Sequence, residues 1–362
     1  MPRVAILSPS FTTADAVTND ALGMSEALTR RGFDVGLFCE THSLPLSGIR
    51  DTSRVDGFLR NPNDILIYHF SRGWTPALKL VRQLKCGRVI RYHNITPARF
   101  FAGFSSQDKE LCEIGRTELD ELIAAQCDLY VSASDFSARE LIDSGADPTR
   151  SRVVPPFHRT DLLTTIEPDE SVFSKYANSA ANILSVGRVV PHKRQLQLIE
   201  IFAGYHHHCN SNSRLFIVGK GGEGLSSYSK LLHRSVGRLG LKDAVVFTGA
   251  VSDEALKAYY LLADAFVTVS EHEGFCVPLV EAMAMKLPIT AFGATAIPET
   301  VGDAGIVWDE RDPMLILESL NLLMTDKSVR TALGLRGLRR YQQMFTTEST
   351  ERSFLEALSN LQ

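Results

Sequence analysis

The sequence predicts an α/β protein of two doubly wound parallel-sheet, Rossmann-like domains that face a shared cleft. Short apolar strands alternate with amphipathic helices along the chain, a pattern typical of parallel sheets covered on both faces. The 362 residues are enough for two domains of ordinary size. Because ligands of open α/β sheets bind at the carboxyl ends of the strands, function is expected in the cleft.

The strand predictions divide into two sets on either side of a polar stretch that follows Pro155-Pro156. We therefore expect a first domain over 1–160, a linker over 161–181, a second domain over 182–346 and a C-terminal helix over 347–362. The predicted strands are Arg3–Ser8, Asp34–Cys39, Asp64–Phe70, Arg88–His93, Asp128–Ser132 and Arg152–Pro155, then Asn182–Val186, Arg214–Val218, Ala244–Thr248, Ala265–Ser270, Leu287–Phe292 and Gly305–Trp308.

Bulk composition excludes several classes of protein. Hydrophobic residues make up 44% and charged residues 22% of the chain, which is typical of a folded enzyme. A net charge of -4 argues against a general nucleic-acid binder. The six scattered cysteines lack paired metal-ligand spacing and indicate a reducing, cytoplasmic setting. The start of the chain predicts a strand and not a signal peptide, and no transmembrane helix is expected.

The stretch Ser270–Ala284 combines a strand end, a tight loop and a helix start. The preceding Asp264–Ser270 is apolar and rich in β-formers, as in a buried parallel strand. Gly274 then provides a flexible loop backbone, and Pro278 suits the first position of a helix. This order predicts a helix N-terminus at the carboxyl edge of a sheet.

Such an N-terminus predicts an anion site. The amides of Cys276, Val277 and Leu279 would point outward from it, and Glu273 in the loop and Glu281 in the first turn bracket them. A carboxylate accepts two hydrogen bonds, which suits the paired hydroxyls of a ribose or hexose. Taken alone, the pattern is equally compatible with an alternative in which Glu273 is an exposed loop charge and Glu281 only stabilises the helix dipole.

Other polar residues follow predicted strands. His93 closes the fourth strand, where a lone histidine is more often structural than functional, and His69 at the end of the third strand is a weaker candidate. Arg188 and Lys193 follow the first strand of the second domain and could hold a diphosphate from two sides. Gly219 begins a glycine-rich loop, which is a weak signal for a phosphate or sugar.

The run E-G-F-C-V-P-L-V-E-A-M-A from Glu273 to Ala284 resembles the E-x7-E signature of retaining family 4 glycosyltransferases (glycosyl transferases group 1), which have the GT-B fold. The resemblance covers most of the chain and is strongest over 183–305. One departure is the loop Pro9–Asp15, which lacks both the usual glycine pair of the family and the G-x-G-x-x-G of a dehydrogenase.

The resemblance implies particular site residues. Family 4 enzymes place an arginine and a lysine as at Arg188 and Lys193, and a histidine near the transferred sugar as at His93. With Glu273, these would be the catalytic residues. The donor-binding residues implied are Glu281, Gly274, Phe275, Cys276, Val277, Gly249, Ala250, Val251 and Gly219, of which Ala250 and Val251 would contact the nucleotide base through their backbone.

The resemblance also implies a reaction. A hexosyl group would move, with retention, from a nucleotide diphosphate sugar (GDP-mannose or a UDP-sugar) to a hydroxyl of a glycan or lipid-linked acceptor, as in polysaccharide or lipopolysaccharide synthesis. The donor would bind the second domain and the acceptor the first, with the C-terminal helix crossing back to the first. Because Arg188 and Lys193 would neutralise the diphosphate, we expect no metal and no cofactor.

Two other functions are compatible with the same residues. A GT-B nucleotide-sugar epimerase would share the donor site and need no acceptor, and a non-catalytic, two-lobed sugar or nucleotide binding protein would bind without turnover. The expected location is cytoplasmic. A lipid-linked acceptor would make the enzyme peripheral at the inner face of the membrane.

Overall fold

The computed structural model describes residues 2–13, 15–44, 47–178, 180–222, 224–359 and 361. Contacts between Cα atoms divide the chain into two compact units. The first unit comprises Met1–Arg99, Gln107–Arg159 and Thr347–Gln362, and the second comprises Phe100–Ser106 and Thr160–Thr346. Ala14, in the loop noted above for its missing glycines, lies outside the described residues.

The first unit contains a seven-stranded parallel sheet in the order β5-β3-β1-β6-β7-β8-β9 and a separate parallel pair, β2 with β4. Its central strands are almost wholly buried, which explains their continuous apolar sequences. The strands are β1 (Arg3–Leu7), β2 (Ser10–Phe11), β3 (Asp34–Cys39), β4 (Thr41–His42), β5 (Arg50–Asp51), β6 (Ile65–Phe70), β7 (Gly87–Tyr92), β8 (Leu129–Ser132) and β9 (Ser151–Val153).

Helices α1 (Ala16–Arg30), α2 (Val55–Phe58), α3 (Thr75–Gln83), α4 (Ser106–Ala124) and α5 (Asp135–Asp143) connect these strands. The Asp15 carboxylate accepts a hydrogen bond from Thr18 N at 2.8 Å and so caps α1. α1 packs closely against the segment that contains Phe157, because a Cβ on Gly23 would lie only 2.4 Å from the Cβ of Phe157.

The second unit contains a six-stranded parallel sheet in the order β12-β11-β10-β13-β14-β15. Every predicted strand is present in the two sheets, and no end moves by more than two residues. The strands are β10 (Ala181–Val186), β11 (Ser213–Val218), β12 (Val245–Gly249), β13 (Ala265–Thr268), β14 (Ile289–Phe292) and β15 (Gly305–Trp308).

The segment 161–181 was predicted from sequence to be a linker, but the structure places it in the second unit. It carries two short helices, α6 (Thr160–Thr165) and α7 (Glu170–Tyr176), whose buried residues Leu163 and Val172 pack within the second unit. The further helices of this unit are α8 (Gln195–His208), α9 (Ser226–Arg238), α10 (Asp253–Leu262), α11 (Val277–Ala284), α12 (Ile297–Val301), α13 (Pro313–Thr325) and α14 (Lys327–Met344). Within the described ranges, no helix has the length and apolarity needed to cross a membrane.

The last helix, α15 (Thr347–Ser359), belongs to the first unit although it follows the whole of the second in sequence. Phe354, Ala357 and Leu358 enter the core formed by α1 and the central strands of the first unit. Phe354 meets Phe157 edge-on, with ring centres 5.8 Å apart. The core of the first unit is therefore completed by the C-terminal segment.

Three glycines line the carboxyl edge of the second sheet. Gly187 N donates to Val218 O at 2.9 Å, and Gly219 N donates to Gly249 O at 3.0 Å, so the backbones stay paired past the strand ends. Gly187 and Gly219 have φ of 142° and 143°, and a Cβ on Gly219 would lie 2.0 Å from Gly187 O. Glycine is required there for close backbone approach and for the positive φ.

We expect Gly219→Ala to destabilise the protein by about 3 kcal/mol, because the new methyl group overlaps a backbone oxygen at a strained φ. Gly57→Ala is the matched control, since Gly57 lies in α2 and has open space around its Cβ position. This substitution should raise the free energy of unfolding by about 0.5 kcal/mol. The midpoint of urea unfolding, followed by circular dichroism, measures both. An unchanged midpoint for Gly219→Ala would contradict the close approach.

Candidate active site

Two stretches that are distant in sequence meet at the carboxyl edge of the second sheet. The turn after β10 presents Lys193, and the loop after β13 presents Glu273, whose Oε1 lies 2.7 Å from Lys193 Nζ. The backbones are also joined, because Glu271 N donates to His192 O at 2.8 Å and the Ser270 hydroxyl donates to the same oxygen at 3.3 Å. Two of the predicted catalytic residues are thus direct partners.

This ion pair is shielded but not sealed. The side chains of Lys193 and Glu273 are 17% and 9% exposed. Burial opposes the charge on Lys193, but the adjacent Glu273 carboxylate outweighs it and holds the pKa of Lys193 above its usual value. Lys193 is therefore a cation at neutral pH that an incoming anion can reach.

Glu273 is held by its backbone as well as by its charge. Its N–H donates to Thr295 Oγ1 at 2.8 Å, and the same hydroxyl donates back to Glu273 O at 2.8 Å. Ala296 N donates to Glu273 O at 3.3 Å. The carboxylate consequently projects from a loop whose backbone is fixed on both sides.

The helix start after this loop departs from the sequence-based expectation in two respects. Pro278 is the second residue of α11, which begins at Val277, and not the first; Cys276 before it has a left-handed backbone, with φ of 77°. Leu279 N donates to Cys276 O at 3.0 Å, so it is engaged within the turn. Cys276 and Val277 remain the predicted amide donors to an anion.

Glu281 lies in the second turn of α11, not the first as predicted, and faces α10. Its Oε2 accepts a hydrogen bond from the Tyr260 hydroxyl at 2.6 Å. Burial raises the pKa of Glu281 to about 7, despite that hydrogen bond, which acts in the opposite direction. Glu281 therefore changes charge near neutral pH.

The other predicted donor-binding residues lie on the same edge. Gly249 ends β12 and is exposed, as is Ala250, while Val251 is half-buried before the capped start of α10. Arg188 is exposed directly after Gly187, and its carbonyl accepts a hydrogen bond from the Gln195 amide at 3.0 Å. Phe275 is buried against Phe345, with ring centres 5.6 Å apart. Phe275 therefore packs within the second unit, whereas the exposed Arg188 is available to a ligand.

His93 lies in the first unit, immediately after β7, within a buried polar cluster. Its Nε2 is 2.9 Å from Nδ1 of His69 and 3.5 Å from Oδ2 of Asp20. Asp20 Oδ2 also accepts a hydrogen bond from Arg91 Nε at 2.6 Å. Burial, opposed by the Asp20 carboxylate, lowers the pKa of His69 to about 4 and that of His93 well below its usual value. Both rings are therefore neutral at pH 7.

A second network fixes the loop that carries His93. Asn94 has a left-handed backbone, with φ of 71°, and its amide donates to Glu140 Oε2 at 2.8 Å. The Tyr92 hydroxyl donates to the same oxygen at 2.5 Å, and Arg116 pairs with the other oxygen of Glu140. Residues on both sides of His93 are thus anchored to α5.

Asp20 and Arg91 were not selected from the sequence, although each leaves a signal. Asp20 is spaced with Met24 and Ala27 on the buried face of α1, where an acid needs a partner. Arg91 lies among Val89, Ile90 and Tyr92 in the buried part of β7. A charge at a core position of a helix and an opposite charge at a core position of a strand indicate a buried ion pair.

Known proteins resemble this chain in sequence and fold. Residues 169–340 match the family model described as glycosyl transferases group 1. A D-inositol 3-phosphate glycosyltransferase of Geodermatophilus obscurus is 29% identical over 66% of this chain and 54% of its own length. A GDP-mannose-dependent alpha-(1-6)-phosphatidylinositol monomannoside mannosyltransferase of Mycobacterium tuberculosis is 30% identical over 43% of this chain and 41% of its own. The chain thus spans about half the length of the curated relatives it matches.

The structural likeness extends further than the likeness in sequence. HepE of Anabaena, whose structure contains UDP-glucose, superposes with a TM-score of 0.76 over 99% of this chain and 100% of its own, at 18% identity. At that identity the likeness concerns the fold alone. It nevertheless includes both units, whereas the family model covers only residues 169–340, all of which lie in the second.

Removing one partner of the buried ion pair should be costly. We expect Lys193→Met to lower the free energy of unfolding by about 3 kcal/mol, because it leaves the Glu273 charge shielded and unpaired. Adding Glu273→Gln should recover much of the loss, since no unpaired charge then remains. Lys230→Met, at an exposed position of α9, is the control and should change stability by less than about 0.5 kcal/mol. Equal costs at Lys193 and Lys230 in chemical denaturation would contradict a stabilising pair.

The pKa of Glu281 predicts a pH-dependent stability. Because the folded-state pKa is raised above the unfolded value of 4.5 to about 7, the stability contributed by Glu281 is fully present below 4.5 and is lost as pH rises through 7. Glu281→Gln should therefore gain in melting temperature relative to wild type as pH increases over this window. Glu26→Gln, at an exposed position of α1, should show a constant difference. A constant difference for Glu281→Gln as well would contradict the raised pKa.

Proposed function

Because residues 169–340 match the family model of glycosyl transferases group 1, we propose that this protein is a retaining glycosyltransferase using a nucleotide diphosphate sugar. The fold is GT-B, as the sequence predicted. The observation that supports the activity most directly is the Lys193–Glu273 pair beside the glycine-lined sheet edge, within the matched region. The pair offers a cation for a diphosphate next to a carboxylate for sugar hydroxyls.

The leaving nucleoside diphosphate gains negative charge as the glycosidic bond breaks. Lys193, held as a cation by Glu273, and the exposed guanidinium of Arg188 would stabilise that charge more in the transition state than in the ground state. The amides of Cys276 and Val277 at the start of α11 would add to this. In this proposal the two side chains do the work that a divalent metal does in other transferases.

Glu273 would orient the transferred sugar and not attack it. A carboxylate paired at 2.7 Å with a lysine is a weak nucleophile, and its backbone is fixed by Thr295. Retention would then follow from attack on the same face, assisted by the leaving phosphate. His93, with its neutral ring, would contact the sugar without repelling the positive charge that develops at the anomeric carbon.

The names of relatives support the proposed donor and acceptor classes. One curated relative is named as GDP-mannose-dependent, and a structural neighbour holds UDP-glucose, which supports a GDP-mannose or UDP-sugar donor here. The names of two relatives include D-inositol 3-phosphate and phosphatidylinositol monomannoside, which supports a glycan or lipid-linked hydroxyl as the acceptor here. A role in polysaccharide or lipopolysaccharide synthesis, at the cytoplasmic face of a membrane, is part of the proposal.

The test is a donor panel. The purified chain is incubated with GDP-mannose, UDP-glucose, UDP-galactose and UDP-N-acetylglucosamine, with and without EDTA and with glycan and lipid-linked acceptors, and nucleoside diphosphate release is measured. We expect nucleoside diphosphate release from one donor, and we expect EDTA to leave its rate unchanged. Because the reaction is proposed to be retaining, NMR should show the same anomeric configuration in the product as in the donor. Lys193→Met and Glu273→Gln should lose at least about a hundredfold in rate.

Controls and contrary outcomes are defined. Lys230→Met and Glu318→Gln repeat the same substitutions at exposed positions of the second unit and should leave release unchanged. Isomerised donor without release would replace the proposal with an epimerase, and calorimetric binding without turnover would replace it with a binding protein. Activity that EDTA abolishes and a divalent metal restores would overturn the metal-free part.

A further inference from the structure

The buried polar cluster of the first unit is larger than one histidine requires. It comprises Asp20, His69, Arg91 and His93, and the side chains of all but His93 are 0% exposed. The His93 side chain is 10% exposed, so it alone among the four reaches the surface of the unit. Asp20 Oδ1 accepts a hydrogen bond from Phe157 N at 2.8 Å, and Arg91 donates to Val154 O at 2.8 Å. The cluster is therefore anchored to α1, β7 and the chain after β9.

A metal ion is a poor explanation of this cluster, although ligating atoms of Asp20, His69 and His93 lie within 4.8 Å of one another. The carboxylate oxygen nearest both histidines already accepts the hydrogen bond from Arg91. A divalent cation there would stand beside a fully buried guanidinium with only one carboxylate to balance both. The observed charges are already balanced by the Asp20–Arg91 pair.

The two imidazoles are joined by a hydrogen bond in the plane of the rings. The nitrogens are 2.9 Å apart, the ring centres 5.2 Å apart and the ring planes only 22° apart, so the nitrogens lie between the rings and point at each other. Because both rings are neutral, one proton lies between them, and one ring donates while the other accepts. The remaining nitrogen of each ring then has the opposite character.

The far nitrogen of His69 decides which ring donates. His69 Nε2 is buried and has no hydrogen-bond partner among the described residues. A buried N–H without an acceptor is rarer and costlier than a buried lone pair without a donor. Asp20 Oδ2 is at similar distances from the two facing nitrogens, 3.8 Å for His69 and 3.5 Å for His93, and does not reverse this preference. His69 therefore carries its proton on Nδ1 and donates to His93.

We infer that Asp20 and His69 are positioning residues that hold His93 with Nε2 as an acceptor and Nδ1–H as a donor available to an oxygen of a sugar ligand. The inference rests on the proposed function for the identity of the ligand. Arg91 keeps Asp20 ionised, Asp20 attracts the proton that the two facing nitrogens share, and His69 fixes both the orientation and the tautomer of His93. A flipped or re-protonated His93 ring would lose the inter-ring hydrogen bond.

The tautomer can be measured without any reaction. Histidine labelled with ¹⁵N in the full chain gives distinct shifts for protonated and bare ring nitrogens, and His93→Gln and His69→Asn spectra assign the two signals. We expect His93 to be protonated on Nδ1 in wild type, and to lose this preference in His69→Leu. A wild-type His93 protonated on Nε2, or one unchanged by His69→Leu, would overturn the inference.

Kinetics with the active donor give the second readout. His69→Leu should lower kcat by about tenfold with little change in KM for the donor, because the sugar contact is disordered while the diphosphate site is intact. His69→Asn, whose side-chain amide can donate from nearly the same place as Nδ1, should recover most of the loss. Equal losses in the two variants would overturn the inference.

Stability must be separated from positioning. Asp20→Asn should reduce kcat and shift the His93 tautomer. Asp64→Asn is the matched control, since Asp64 is a buried carboxylate that accepts backbone N–H bonds at the opposite end of β6 and should cost stability without moving either readout. If Zn²⁺ alone titrates the His69 and His93 signals at equimolar amounts, the cluster is a metal site and the inference fails. If no donor reacts, the proposed function fails while the tautomer still tests the cluster.

Discussion

Parallel strand pairing is the constraint on which both candidate sites depend. All pairs in the two large sheets are parallel, so within each of these sheets every strand ends at the same edge. In the first unit this brings His69, near the end of β6, beside His93, which follows β7. In the second it brings the turn after β10 beside the loop after β13. Loops distant in sequence are thereby adjacent without any special contact to recruit them.

A shielded ion pair lies at the candidate site of each unit, and the two pairs differ in kind. Asp20 and Arg91 are both 0% exposed and are further tied to backbone groups, which makes them part of the framework. Lys193 and Glu273 remain partly open to solvent. Since a buried pair seldom adds net stability over an apolar replacement, its presence is better explained by what it positions. In the proposals made above, one pair positions a histidine, and the other offers a cation and a carboxylate to a ligand.

Much of this could be predicted from the sequence, because continuous apolar runs bounded by turn residues define buried parallel strands. The strands Asp34–Cys39 and Gly305–Trp308 were predicted with their observed ends. Helices α6 and α7 were not, since they are short, polar and stabilised by packing that local sequence does not reveal. The direct pairing of Lys193 with Glu273, residues 80 positions apart, likewise required the three-dimensional structure. The roles assigned to individual site residues remain predictions.

The interleaved order of the two units has a consequence for biosynthesis. The strands of the first unit leave the ribosome before any of the second, yet Phe354 and Leu358, which complete its core, are made after the entire second unit. Throughout translation of that intervening region, the surface of α1 that later receives α15 has no cover. The nascent chain must therefore carry an exposed apolar surface for much of its synthesis, which is the kind of surface that molecular chaperones bind.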